Sequence, residues 1–185
     1  KTHLDANPVL CGYNILGFDA PIINNENTRN DIEWRVPRCL DPFVWTYWYD
    51  RGAPSKKLGA TCERYGVELS EERAHTADAD AFATGLLLMS MVIEGVIPDD
   101  VEWAFAEQAA LKQRIDKEYE EYGRFVFPDR KTGVFRLGLG KHCGTPVDEA
   151  DEGYLKWLVG RPDMPATARS IIKKALGQTE QIGLF

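Results

Sequence analysis

The sequence is poor in long apolar runs and in paired cysteines. Its longest apolar block is the interrupted stretch Leu86–Val92, whereas a transmembrane helix needs about 20 mostly apolar residues. The four cysteines lie far apart, with no Cys-x-x-Cys pair, so neither a disulfide scaffold nor a zinc ribbon is predicted. We therefore expect a protein with no membrane span, located in the cytoplasm. The first residue is Lys1 rather than methionine, which favours a fragment of a longer chain.

Positive charge is scarce in the first two thirds of the chain. Residues 1–123 contain 12 Lys and Arg against 22 Asp and Glu, a net charge of −10. Residues 124–185 contain 10 against 7, a net charge of +3. Proteins that bind polyanions generally need clustered Lys and Arg to contact phosphates. The acidic body therefore argues against a general polyanion binder, and nucleic-acid chemistry in it would need cations.

Hydrophobic patterning and capping signals predict a mixed α/β chain. Asp41 followed by Pro42 is typical of a helix N-terminus, and Ser55 predicts another one. The predicted strands cover residues 9–13, 36–40, 125–127 and 134–137, and the last two form a hairpin. The predicted helices cover residues 42–49, 56–65, 76–94, 101–122, 153–159 and 166–176.

A strand, a turn and a helix start follow one another in the segment Gly12–Pro21. Asp19 lies where the chain enters the helix, so its carboxylate would sit near an edge of the sheet. Structural roles are open as well: Asp19 as a helix cap, Asn14 in an Asx-turn and Phe18 in the core. The segment alone does not distinguish a metal ligand from a cap.

A second segment places a histidine just before a helix and a carboxylate one turn inside it. His75 and Asp80 have this arrangement, which lets both side chains face one site. A neutral imidazole suits general-base chemistry near neutral pH, and hard divalent cations prefer carboxylate oxygens. The alternative is a surface helix whose acidic first turn is favoured by the helix dipole.

Together the two segments resemble two of the three motifs of the DnaQ-like DEDDh 3′–5′ exonucleases. The pattern from Asn14 through Phe18 to Asp19 is similar to the form found in exonuclease I and in the proofreading domains of family B polymerases. The spacing of His75 and Asp80 is similar to the motif that marks the histidine branch of the superfamily. The joint match is more specific than either motif alone, because both occur in the expected order and separation.

The resemblance implies an α/β ribonuclease H-like exonuclease fold, with its N-terminal strands missing, that hydrolyses phosphodiesters with two Mg²⁺ or Mn²⁺ ions. It implies Asp19 and Asp80 as metal ligands, His75 as the catalytic base, and Asn14 and Phe18 as substrate-positioning residues. The family's first motif, a strand-borne Asp-x-Glu, should precede Asn14, and no match lies there. The matches elsewhere are expected by chance in an acidic chain: Asp31–Glu33, Asp100–Glu102 and Asp116–Glu118.

The C-terminal third resembles a small module of unassigned role that is appended to some exonucleases and phage proteins. The similarity rests on residues 140–146, Gly-Lys-x-x-Gly-x-Pro, followed by Tyr-Leu-x-Trp-Leu. One interpretation is a structural hairpin and helix whose Tyr and Trp side chains fill a small core. The other is contact with nucleic acid through Lys141, His142 and Lys156.

The last five residues carry a separate resemblance. Gln181, Ile182, Leu184 and Phe185 are similar in type and spacing to the pentapeptide with which bacterial replication proteins dock on the sliding clamp. In that mode an extended peptide places its Leu and Phe in an apolar pocket. The alternative is a frayed chain end.

The combined interpretation is a metal-dependent 3′–5′ exonuclease that trims single-stranded DNA 3′ ends in replication or repair of a bacterium or phage. An exonuclease domain (residues 1–97) would be followed by a connector helix (98–123), a small α+β module (124–177) and a flexible tail (178–185). Two alternatives stay open. One is a non-catalytic adaptor that uses a degenerate nuclease fold to bring partners to the clamp, and the other is an RNA exonuclease of the same superfamily.

Overall fold

A computed structural model describes residues 9–68 and 76–178, and the chain divides into two compact units. Unit 1 contains the chain up to Asp50 together with Ser55–Lys112. Unit 2 contains Arg51–Pro54 and the chain from Gln113 onward. None of the helices formed by the described residues is long and apolar enough to cross a membrane.

Unit 1 packs helices around a short parallel strand pair. Strand β1 (Leu10–Cys11) pairs with β2 (Cys39–Leu40), and Leu10 lies opposite Cys39. Helix α4 contacts β1, α2 and α3, and its buried Leu87 and Met91 belong to the same core as Trp45. The helices of this unit are α1 (Asp19–Arg29), α2 (Pro42–Tyr49), α3 (Leu58–Arg64), α4 (Ala77–Ile93) and the first part of α5 (Val101–Tyr122).

Local capping signals predict the starts of two helices in unit 1, α2 and α5. Asp41 is the N-cap of α2, where its carboxylate accepts a hydrogen bond from the Phe43 N–H, and Pro42 occupies the first helical position. The predicted bounds of α5 are confirmed. The predicted start of α3 is wrong: the helix begins at Leu58, since the Ser55 hydroxyl accepts the Lys57 N–H in a turn before the helix.

Unit 2 is built on the predicted hairpin, which is confirmed. Strand β3 (Val126–Pro128) pairs antiparallel with β4 (Phe135–Leu137), and Phe127 lies opposite Arg136. Helices α6 (Glu152–Val159) and α7 (Ala166–Ala175) complete the unit together with the end of α5. Its buried core consists of Phe125, Val126, Leu137, Val147, Leu155, Leu158, Met164, Ala168 and Ile172.

The interpretation that Tyr154 and Trp157 fill a small core is wrong for Trp157. Leu155 and Leu158 fill the core from α6, whereas Trp157 is 53% exposed and Tyr154 packs at the margin. The two leucines lie on the inner face of the helix. Because Trp157 lies next to Leu158 in sequence, the helical twist turns its side chain away from that face.

Close packing behind the hairpin predicts a large effect for one glycine. The Gly138 N–H donates to the Phe125 carbonyl oxygen at 2.8 Å, and a Cβ on Gly138 would overlap the carbonyl oxygen of Arg124. Gly138→Ala should therefore lower the free energy of unfolding by about 1 to 3 kcal/mol in urea denaturation. The control is Gly85→Ala in α4, because a Cβ on Gly85 meets nothing within 4 Å. This substitution should raise the free energy of unfolding by up to about 1 kcal/mol, since alanine favours the helix more than glycine does. Equal losses in both variants would contradict this account of Gly138.

Candidate active site

The turn that follows β1 is built on the backbone of Asn14. Asn14 adopts a left-handed φ of 62°, which asparagine tolerates better than most residues. Its carbonyl oxygen accepts the N–H groups of Gly17 at 3.2 Å and Phe18 at 3.1 Å. Gly17 fits because a Cβ there would lie 2.6 Å from Asn14 Oδ1. The Asx-turn alternative is wrong, since the Leu16 N–H donates to Asp41 instead of to the Asn14 side chain.

A buried carboxylate from the end of β2 holds this turn in place. Asp41 is 1% exposed and accepts the N–H groups of Asn14 at 2.7 Å, Leu16 at 3.1 Å and Phe43 at 3.1 Å. Its own N–H donates to Gln108 Oε1 at 2.7 Å. The sequence predicts only the helix-cap role of Asp41. The Asp-Pro signal predicts one of these hydrogen bonds, and the two bonds to the turn carry no local signal.

The negative charge of Asp19 affects the pKa of this buried carboxylate. Burial raises the pKa of Asp41, the three backbone N–H groups lower it in part, and the negative charge of Asp19 raises it further. The two carboxylates therefore lie within electrostatic range of each other. Asp41 is buried and accepts three backbone N–H groups, whereas Asp19 is exposed, so Asp19 is the carboxylate accessible to a ligand at this turn.

Asp19 and Phe18 are both exposed at the start of α1. Asp19 is the first helical residue, and Phe18 holds the N-cap position without a side-chain cap hydrogen bond. The cap role for Asp19 is therefore wrong. Phe18 is 59% exposed, so its placement in the core is also wrong. The reason is that α1 buries only Ala20, and the helix turns most of its surface outward.

Asp80 lies in the exposed first turn of α4, close to α3. Burial, followed by the negative charge of Asp80, raises the pKa of the Cys62 thiol on α3. The neighbouring Thr61 hydroxyl is hydrogen-bonded to the Tyr13 hydroxyl at 2.8 Å, and Tyr13 also donates to the Lys56 carbonyl oxygen at 2.7 Å. Tyr13 immediately precedes Asn14. The Asp80 end of α4 and the turn after β1 thus both border α3.

The described residues contain no group of three or more His, Cys, Asp and Glu side chains placed to hold a metal ion. His75, the predicted base, lies outside the described residues. In two of the Asp-x-Glu matches that follow Asn14 in the chain, the glutamate forms an ion pair with an arginine. Glu102 forms a two-point ion pair with Arg38 at 2.8 and 3.0 Å, and Glu118 pairs with Arg130 at 2.8 Å. The exposed carboxylates of Asp19 and Asp80 have the hard oxygen chemistry that Mg²⁺ and Mn²⁺ prefer, but a two-metal site needs further ligands.

Comparison with known proteins gives one distant link. The chain is 32% identical over 76 residues to a protein named DNA polymerase III PolC-type from Ureaplasma parvum serovar 3. The match covers 40% of this chain and 5% of that protein, so the chain spans a small fraction of its relative's length. No family profile matches the chain, and no solved structure matches it.

Proposed function

We propose that this chain is part of a metal-dependent 3′–5′ exonuclease that hydrolyses single-stranded DNA ends in replication or repair. The observation that carries the proposal is the turn after β1. This turn, held by buried Asp41, presents exposed Asp19 at the start of α1, and Asp80 is exposed in the first turn of α4. The distant similarity to a DNA polymerase supports a role in DNA metabolism, and the resemblance to an exonuclease family that includes proofreading domains agrees with it.

In this proposal each residue has a distinct role. Asp19 and Asp80 would hold Mg²⁺ or Mn²⁺, which when bound supply activation of water and charge stabilisation of the leaving oxygen. His75 would accept the proton of the attacking water. Asn14 and exposed Phe18 border the turn, where they would position the last nucleotide. Asp41 acts through these residues by fixing the turn.

The remaining metal ligands would come from a segment that pairs with β1 and extends the sheet. Parallel sheets are normally covered on both faces, yet β1 and β2 form a two-stranded sheet within the described residues. One face of α4 presents Phe82, Met89 and Ile93, which are 70%, 60% and 82% exposed. An exposed apolar stripe of this kind is typical of a surface that another element covers. We propose that the covering segment precedes Lys1 and carries the missing Asp-x-Glu.

The C-terminal tail would add a partner. Gln181, Ile182, Leu184 and Phe185 lie outside the described residues, and their proposed role is docking on a bacterial sliding clamp. The lack of a three-ligand cluster among the described residues also favours a second candidate, a non-catalytic adaptor that binds the clamp. The two candidates differ in whether the complete chain hydrolyses DNA.

The test is the polarity and metal dependence of hydrolysis. A 5′-labelled single strand should be shortened stepwise in Mg²⁺ or Mn²⁺, and excess EDTA should abolish the reaction. Residues 1–185 alone should act slowly, and a chain extended to include the preceding coding sequence should act fast, because the extension would supply the missing ligands. A uridine-containing RNA strand of equal length tests the RNA exonuclease alternative. If the extended chain releases no nucleotides from DNA or RNA, the adaptor is favoured and the exonuclease is wrong.

A further inference from the structure

Helix α6 presents a row of aromatic side chains on the surface of unit 2. Tyr154 and Trp157 lie at positions i and i+3 of α6, which places them along one helical face. Arg161 follows the end of the helix. Leu155 and Leu158 lie on the other face, in the core. The row therefore belongs to the outer surface of the unit.

The rings of this row contact one another in sequence, with Tyr154 and Trp157 stacked and His142 tilted against Tyr154. The His142 and Tyr154 ring centres are 4.3 Å apart with planes inclined at 39°. The Tyr154 and Trp157 centres are 5.5 Å apart with planes inclined at 29°. The Arg161 guanidinium lies 5.7 Å from the Trp157 ring centre. Three planar rings and a planar cation thus form a continuous row, named here the aromatic row.

The middle of the aromatic row is fixed by the backbone around it. The Tyr154 hydroxyl donates to the Leu139 carbonyl oxygen at 3.2 Å. Gly140 has a φ of 68°, and a Cβ there would lie 3.2 Å from that hydroxyl oxygen. The Tyr154 N–H is held by the Asp151 carboxylate at 2.8 Å. A binding surface that is already ordered loses less conformational entropy when a ligand arrives.

The outer end of the row is open to solvent. Trp157 is 53% exposed, although burial of an indole normally contributes substantially to stability. Exposed Lys141 precedes His142 in the chain. Lys156 pairs with Glu152 at 2.6 Å, and Arg161 pairs with Asp163 at 3.0 Å. Residues 124–185 carry a net charge of +3, against −10 for residues 1–123.

We propose that the aromatic row is a stacking platform for the bases of single-stranded nucleic acid. Exposed rings beside cations fit a ligand that is planar in its bases and negative in its backbone, and base stacking on aromatic side chains tolerates any sequence. Trp157 would stack one base, and exposed Lys141 would face a phosphate. Lys156 and Arg161 are not assigned to phosphates, because they are paired with Glu152 and Asp163. Such binding needs no hydrolysis in unit 1 and therefore goes beyond the proposed function.

The test compares two exposed tryptophans in the full chain, in EDTA so that no strand is cut. Binding of fluorescein-labelled oligo-dT is followed by fluorescence anisotropy at low salt. Trp157→Ala should weaken binding by about tenfold or more, since stacking contributes about 1 to 3 kcal/mol per base. Trp157→Phe should restore most of the affinity. Trp103→Ala is the matched control, because Trp103 is 65% exposed and lies on α5 in unit 1.

A second arm separates stacking from charge. An abasic strand of equal length keeps the phosphates and lacks the bases, so it should bind the wild-type chain weakly and respond little to Trp157→Ala. Oligo-rU in place of oligo-dT distinguishes RNA from DNA as the ligand. The platform is wrong if oligo-dT and oligo-rU show no saturable binding, as expected if the row instead contacts a protein. Equal weakening by Trp157→Ala and Trp103→Ala, or equal binding of abasic and normal strands, would also overturn it.

Discussion

Asp80→Asn is expected to lower the rate of 3′-end hydrolysis by more than about 10²-fold, because loss of a metal ligand exceeds the 10- to 100-fold cost of losing a ligand's supporting partner. Asparagine keeps the shape of the side chain and removes the negative charge that a hard cation prefers. The backbone of Asp80 bonds within α4 through the carbonyl oxygen of Thr76 and the hydroxyl of Thr84, so the helix should persist. Initial rates on a labelled single strand and Mn²⁺ binding by calorimetry measure the effect.

The matched control for this prediction is two residues away. Asp78 is also exposed in the first turn of α4, so Asp78→Asn removes the same charge from the same turn and should leave both readouts nearly unchanged. His75→Ala should lower the rate by about 10²-fold or more with Mn²⁺ affinity preserved, as expected for a base rather than a ligand. Equal effects of Asp78→Asn and Asp80→Asn on rate and Mn²⁺ affinity would remove the ligand role from Asp80.

Asp41→Ala is expected to have the largest effect on stability, a loss of about 3 to 5 kcal/mol in the free energy of unfolding. The variant removes three hydrogen bonds to a buried carboxylate and leaves the N–H groups of Asn14, Leu16 and Phe43 without that acceptor. Asp41→Asn should fall between wild type and Asp41→Ala. Its amide oxygen can still accept the N–H groups of Asn14 and Phe43. Its NH₂ group then faces the Leu16 N–H, and two donors cannot form a hydrogen bond. Urea denaturation followed by circular dichroism measures the losses.

A second helix cap separates the buried network from ordinary capping. Asp151 is the N-cap of α6 and accepts one hydrogen bond, from the Tyr154 N–H, in an exposed position. Asp151→Ala should therefore cost only about 1 kcal/mol. If Asp41→Ala and Asp151→Ala cost the same, Asp41 acts as a cap alone, and the turn after β1 does not depend on it.

Features that depend on neighbours along the chain could be predicted from the sequence. The bounds of α5, the N-cap of α2 and the hairpin of β3 and β4 follow from capping residues, turn residues and apolar spacing. Each of these signals lies within a few residues of the structure that it predicts. The motif residues Asp19 and Asp80 could likewise be selected from the sequence, through a resemblance carried by short patterns.

Other features were decided by contacts between residues far apart in the chain. Asp41 holds the turn of Asn14 across 27 residues, and no local pattern marks that partnership. The exposure of Phe18 depends on how little of α1 the fold buries. The aromatic row required the packing of His142 against Tyr154. Sequence alone thus determined where α2, α5 and the hairpin turn begin, because those signals are local. The tertiary structure decided which polar and aromatic groups meet, because burial and hydrogen bonding depend on which segments pack together.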